Sequence, residues 1–158
     1  MKKILLTLLT LTALNSCVTT NQITKIPVGK MQQVELLNHY EIFSAGYKSY
    51  TLSVEQSNIV KAWPENVSID IYFGTWCHDS QREVPKLLKA LQVNSKIKTT
   101  LIALDGHKTD PLGLAKNNAV KFTPTFVIFI NNQEIGRIVE RPKVNLIADI
   151  DEIIKLKQ

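Results

Sequence analysis

The chain has 158 residues, 44% hydrophobic and 21% charged, with six glycines, six prolines and a formal net charge of +5. That is the length of one domain with enough apolar surface for a core, which excludes a disordered, collagen-like or multi-span membrane protein. Two cysteines exclude a disulfide-rich mini-scaffold and a four-cysteine zinc site, and no Lys/Arg run of five or more gives nucleic acid a footing.

Lys2 and Lys3 open the chain, and an apolar run follows from Ile4 to Leu14. A bilayer core needs roughly 20 apolar residues, so the run is too short to span one and reads as a secretory signal peptide. It ends at Leu14-Asn15-Ser16-Cys17, which resembles the lipobox of bacterial lipoproteins. In that family a small residue precedes a cysteine that is diacylated and becomes the new N-terminus. The resemblance implies a signal peptide over residues 1–16, lipidation at Cys17 and a membrane anchor in the cell envelope. Two acyl chains anchor a protein stably where one is marginal. Val18 rather than Asp follows Cys17, which resembles the default for outer-membrane delivery, on the periplasmic face, in bacteria with two membranes. Residues 17–30, polar and aperiodic with Pro27 and Gly29, read as lipidated N-terminus and tether, and the domain as residues 31–158.

Within the domain a helical piece is expected near 32–38. Ser53-Val54-Glu55-Gln56 has capping-box spacing and starts a helix that ends near Pro64. Val67 to Phe73 is a β-rich run broken by Gly74-Thr75. Val84, Leu87, Leu88 and Leu91 recur at helical spacing and give a helix over 78–92. Lys98 to Leu104 is a second strand, and Asp110 to Asn118 a helical turn. Two further strands, 125–130 and 134–139, flank Asn131-Asn132-Gln133 and form a tight antiparallel hairpin, since Asn tolerates positive φ. A last helix over 143–157 carries the stripe Val144, Ile147, Ile150 and Ile154. The βαβ crossover demands a parallel strand pair and the hairpin an antiparallel one. The fold class is α/β, a mixed sheet with helices on both faces.

The sharpest chemical signal is Trp76-Cys77-His78-Asp79-Ser80 between a strand and a helix start. A cysteine there meets unpaired backbone N–H groups and the positive end of the helix dipole, and both favour the thiolate, the nucleophilic form. His78 would add to this when protonated, Asp79 would oppose it, and Ser80 can offer its hydroxyl to the sulfur. Consecutive residues at a helix start do not converge on one ion, so no metal is expected, and nothing calls for a cofactor. Arg82 and Glu83 read as a solvated pair, His39 and His107 as surface residues.

Over residues 55–157 the sequence resembles the thioredoxin superfamily. Phe73-Gly74-Thr75-Trp76-Cys77 matches its strand-to-helix active-site turn, Pro85 its helix-kinking proline, and Phe122-Thr123-Pro124-Thr125-Phe126 its cis-proline loop. GTWCHDSQREVP with EIGRIVERP is most similar to a bacterial thioredoxin-like subfamily with a W-C-x-D-S pattern. The resemblance implies a thioredoxin-like domain with Cys77 as nucleophile, His78 and Ser80 beside it, and Trp76, Thr123 and Pro124 presenting the client strand.

Three positions depart from the family. Its second, resolving cysteine is Ser80 here. Its buried acid aligns with Ile71, with Asp70 on the opposite strand face, and that acid's lysine partner aligns near Leu101. Cys77 can therefore open a disulfide but needs an outside thiol for release. The expected activity is monothiol thiol–disulfide exchange, with client proteins carrying disulfides or oxidised thiols and an external thiol reductant as partners. A mixed-disulfide holder or isomerase-like reshuffler uses the same step. The alternative is a non-catalytic module whose groove docks an extended peptide.

Overall fold

Residues 26–157 are described by a computed structural model. The expected signal peptide over residues 1–16 and the expected lipidation site Cys17 lie outside the described residues. In chain order the elements are β1 (Gly29–Met31), α1 (Gln33–His39), α2 (Glu41–Ser49), α3 (Val54–Ala62), β2 (Val67–Phe73), α4 (His78–Leu91), β3 (Lys98–Ala103), α5 (Leu114–Asn117), β4 (Thr125–Ile130), β5 (Gln133–Val139) and α6 (Leu146–Lys155). The five strands form one sheet in the order β1-β3-β2-β4-β5. β2 and β3 are parallel, joined across α4, and the other neighbours are antiparallel. β1 pairs Gly29 with Ala103 and Met31 with Leu101, so the sheet takes in Gly29 and Lys30 at the end of the segment read as tether.

Strand alternation decides what each sheet face buries. Val67, Ile69, Ile71 and Phe73 of β2 enter the main core, which they share with α1, α2, α3, α4 and α6. Tyr72 points the other way, into a smaller cluster with Ile102, Leu104, Val127 and Ala115 of α5. Helices thus lie on both faces, but unevenly: the second face has the single turn of α5.

α2 lacks a clean apolar period because Phe43 is its one fully buried side chain, while Ile42 is half exposed. It packs across α4 at Gly46, where a Cβ would stand 3.2 Å from Cγ of Pro85. Pro85 lies buried inside α4. α3 starts at the expected capping box: Ser53 Oγ accepts from the Gln56 N–H and Gln56 Oε1 from the Ser53 N–H. Asn131 and Asn132 have φ of 51° and 64°, the two left-handed residues of a two-residue hairpin turn, and Gln133 already belongs to β5.

Two expectations are corrected. Val144 is 78% exposed and outside α6, because Asn145 caps that helix through Oδ1 to the Ala148 N–H. The Val144 and Lys143 N–H groups instead donate to the buried Asp149 carboxylate. Glu83 is not solvated but 6% exposed, paired with Arg82 and Lys86.

Asp70 faces the α5 side, away from α4. Burial pushes its carboxyl up, against the opposing pull of a Thr100 hydrogen bond and of Lys30. An acid raised in the folded state leaves the unfolded chain to release its proton first, so stability falls as pH rises through that window, and the penalty persists at neutral pH. Asp70→Asn is therefore expected to raise the unfolding midpoint at pH 7, with the gain fading below about pH 4. Denaturant unfolding at both pH values checks this.

Candidate active site

Cys77 is the N-cap of α4, in extended conformation. The turn that delivers it from β2 is closed by hydrogen bonds. The Cys77 N–H donates to Gly74 O at 3.0 Å, and the Gln81 side chain donates to Thr75 O at 2.8 Å. Ser80, fully buried, accepts the Gly74 N–H at 3.2 Å. Trp76 folds back over Gly74 and donates its indole N–H to Leu104 O at 3.1 Å, with Lys108 Nζ 5.4 Å from the ring.

The sulfur sits against the loop ahead of β4. Cys77 Sγ donates to Thr123 O at 3.1 Å, and the Thr123–Pro124 peptide is cis. Both residues are buried, while neighbouring Phe122 is 51% exposed. Pro124 O accepts the Glu140 N–H at 2.7 Å, which ties this loop to the segment after β5.

Burial pushes the Cys77 thiol up. Hydrogen bonds from the Thr123 side chain, the Ser80 backbone and hydroxyl, and the Asp79 backbone pull it down and prevail, leaving it below the ordinary cysteine value. The Thr123 carbonyl serves the protonated form, whereas the Thr123 hydroxyl and the helix-start N–H groups serve the thiolate. Ser80 Oγ accepts from Gly74, and the same hydroxyl is among the groups that lower the thiol.

The structure brings Trp76, Cys77, Ser80, Thr123 and Pro124 together around the start of α4. His78 is corrected. It is exposed and lines a groove with Ile42, Ala45 and Gly46 of α2, and the groups that act on the thiol are Thr123, Ser80 and Asp79. Asp79 does not stand free beside the sulfur: its carboxylate is held by Arg82, with Arg141 3.3 Å away. Arg141, within EIGRIVERP, leaves no local sequence signal for this contact. Ile71 and Leu101 face each other across β2 and β3, both in the apolar core. A buried acid–lysine pair is thus replaced by hydrocarbon. Among the described residues no cluster of His, Cys, Asp and Glu could hold a metal ion.

Residues 30–148 match the model of a protein family described as Thioredoxin. The chain belongs to the thioredoxin family. No curated protein matches it. Among solved structures it is similar to a protein of unknown function, PA1234, from Pseudomonas aeruginosa, with 17% identity, a TM-score of 0.66, and 82% of this chain and 94% of that one covered. An HIV epitope-scaffold gives 16% identity, a TM-score of 0.66 and coverage of 82% and 94%. Thioredoxin f2 of Chlamydomonas reinhardtii gives 17% identity, a TM-score of 0.43 and coverage of 63% and 82%. The family match, together with the mixed five-stranded sheet, gives the chain a thioredoxin-like fold.

Proposed function

We propose that this thioredoxin-family chain is a lipid-anchored envelope protein, attached through Cys17, that performs monothiol thiol–disulfide exchange on client proteins through Cys77. One observation carries the reading: a thiol held below its ordinary value at the start of α4, facing the Thr123 carbonyl, with Ser80 where a dithiol enzyme keeps its second sulfur.

The Cys77 thiolate attacks one sulfur of a client disulfide. A new S–S bond forms, the old one breaks, and the client's second sulfur leaves as a thiolate that takes a proton from water. The mixed disulfide then waits for an external thiol. That thiolate attacks the client's sulfur, Cys77 departs as thiolate, and the client leaves bonded to the external thiol. The Thr123 hydroxyl, the Ser80 hydroxyl and the α4 N–H groups stabilise the departing Cys77 as they stabilise the resting one. In the resting thiol the Sγ–H donates to Thr123 O, which keeps Cys77 beside the loop on which an extended client segment would lie.

The test is the pH dependence of Cys77 alkylation in a Cys17→Ala chain, where it is the one thiol. The expected midpoint lies below about 8.5, the ordinary cysteine value. Disulfide-linked adducts with envelope proteins should accumulate when external thiol is withheld and vanish in Cys77→Ser. A midpoint at or above that value, with no adducts, would overturn catalysis and favour peptide docking.

A further inference from the structure

The sequence EIGRIVERP places Glu140, Arg141 and Pro142 directly after β5, and the exchange step above uses none of them. The segment is nonetheless fastened to two sides of the thiol site, the cis-proline loop and the first turn of α4, and to α6. Glu140, at φ 60°, donates its N–H to Pro124 O at 2.7 Å. Arg141 Nη2 stands 3.3 Å from Asp79 Oδ1 on the first turn of α4. Lys143 and Val144 donate their N–H groups to Asp149 of α6 at 2.6 and 3.1 Å. One short loop thus links the cis-proline segment, the start of α4 and α6.

Asp79 is the group that makes the link matter. It lies two residues from Cys77, and a bare carboxylate there would repel a thiolate. Arg82 reaches the same oxygen, Oδ1, but is shared with the buried Glu83, which Lys86 also touches. The ions therefore form an alternating chain, Arg141–Asp79–Arg82–Glu83–Lys86, with Arg141 at one end. Asp79 is held below the usual carboxylate range, chiefly by the Arg82 hydrogen bond and, further, by Arg141. The remaining charged or titratable groups around the site are His78 on α4, Lys108 above Trp76, Lys121 ahead of Thr123 and Glu140 on the loop itself.

We propose that Arg141 is a positioning residue of the thiol site: it neutralises and holds Asp79 so that this carboxylate does not oppose the Cys77 thiolate, and it locks the loop behind Pro124 against α4. The proposal rests on the thiol-exchange reading of Cys77, but it is judged by a comparison among variants. Arg141 acts through Asp79 and touches no client.

The experiment measures Cys77 alkylation against pH in the full chain carrying Cys17→Ala, with Arg141→Gln, Arg141→Lys, Asp79→Asn and the Arg141→Gln/Asp79→Asn pair added. Arg141→Gln should slow alkylation at pH 6.5 and low salt about two- to threefold, the scale of one surface charge acting through solvent. At about 1 M salt the difference should disappear, because charges are screened within about 3 Å. Arg141→Lys should keep nearly the parent rate. In the Asp79→Asn background, Arg141→Gln should change nothing, since the charge to be neutralised is gone. Equal rates for parent and Arg141→Gln would overturn the proposal. So would a slowing that persists beside Asp79→Asn or appears equally in Arg141→Lys, which would mark a packing role. An unactivated parent thiol would instead sink the exchange reading, while the ratio among variants would still decide the role of Arg141.

Discussion

Ser80→Cys is expected to turn the single-thiol site into a dithiol one. Ser80 is fully buried three residues along α4 from Cys77, and its hydroxyl is among the groups that lower the thiol, so the new sulfur meets Cys77 without exploring solvent. Two consequences follow from proximity. In a Cys17→Ala chain under mild oxidant, free thiols should fall to none per chain, whereas the parent keeps one. A Cys77 mixed disulfide, stable in the parent until an outside thiol arrives, should decay at least about tenfold faster, because intramolecular attack runs at effective concentrations of millimolar and above. The variant also has a cost. Sulfur is a poor acceptor for the Gly74 N–H that Ser80 now satisfies, so the reduced form should lose about 1 kcal/mol. Thiol titration and adduct lifetimes read the first effects, and denaturant unfolding the last. A long-lived adduct with its thiol count unchanged would mean that Ser80 does not face the sulfur.

The same side chain shows why the site is built as it is. A hydroxyl at the third helical position can accept from the turn and donate to the sulfur at once, which a thiol does poorly on both counts. The turn is thereby well held, and on the proposed exchange reading the site trades self-release for that hydroxyl. Replacing the usual acid–lysine pair by Ile71 and Leu101 acts in the same direction. Hydrocarbon beneath the site neither supplies nor takes a proton, so the thiolate depends on the hydrogen bonds above it.

What could be read from sequence was what local chemistry controls. The capping box at Ser53, the paired asparagines at 131–132 and the apolar spacing of Val84, Leu87 and Leu88 act within a few residues, and the structure keeps all three. α2 escaped because it is held by one buried aromatic and by a close approach of Gly46 to Pro85, and neither leaves a periodic trace. Val144 looked like the first residue of a stripe, but the Asn145 cap, one residue on, removes it from the helix. Glu83 looked solvated because charge normally seeks water; two cations on neighbouring turns let it be buried. His78 was placed by adjacency to Cys77, yet consecutive helix residues point about 100° apart, and its side chain goes to α2. The Arg141–Asp79 contact joins positions far apart in sequence, so it became visible only in three dimensions.

Gly74→Ala should disturb the site more than its size implies. Gly74 has no left-handed φ, so the backbone accepts alanine without strain. The obstacle is the Trp76 ring: a Cβ at position 74 would lie 2.6 Å from Cε2 and 2.9 Å from Cζ2 and Nε1. An indole is rigid and offers its face here, so the ring must swing away, losing its hydrogen bond to Leu104 O and its contact with Lys108. Overpacking and the lost bond together should cost about 2–3 kcal/mol, lowering the melting temperature by roughly 5–10 °C. Fluorescence can locate the change, since Trp63 is 4% exposed and Trp76 is 37% exposed. In a Trp63→Phe background the emission reports Trp76 alone, and Gly74→Ala should shift it to the red and make it easier to quench with acrylamide. Unchanged stability and emission would mean that the ring does not rest on Gly74. With the ring displaced, the β3 side of Cys77 opens to solvent while Thr123 and Ser80 remain. Alkylation by small reagents should persist, and on the proposed exchange reading capture of client proteins across the indole surface should weaken.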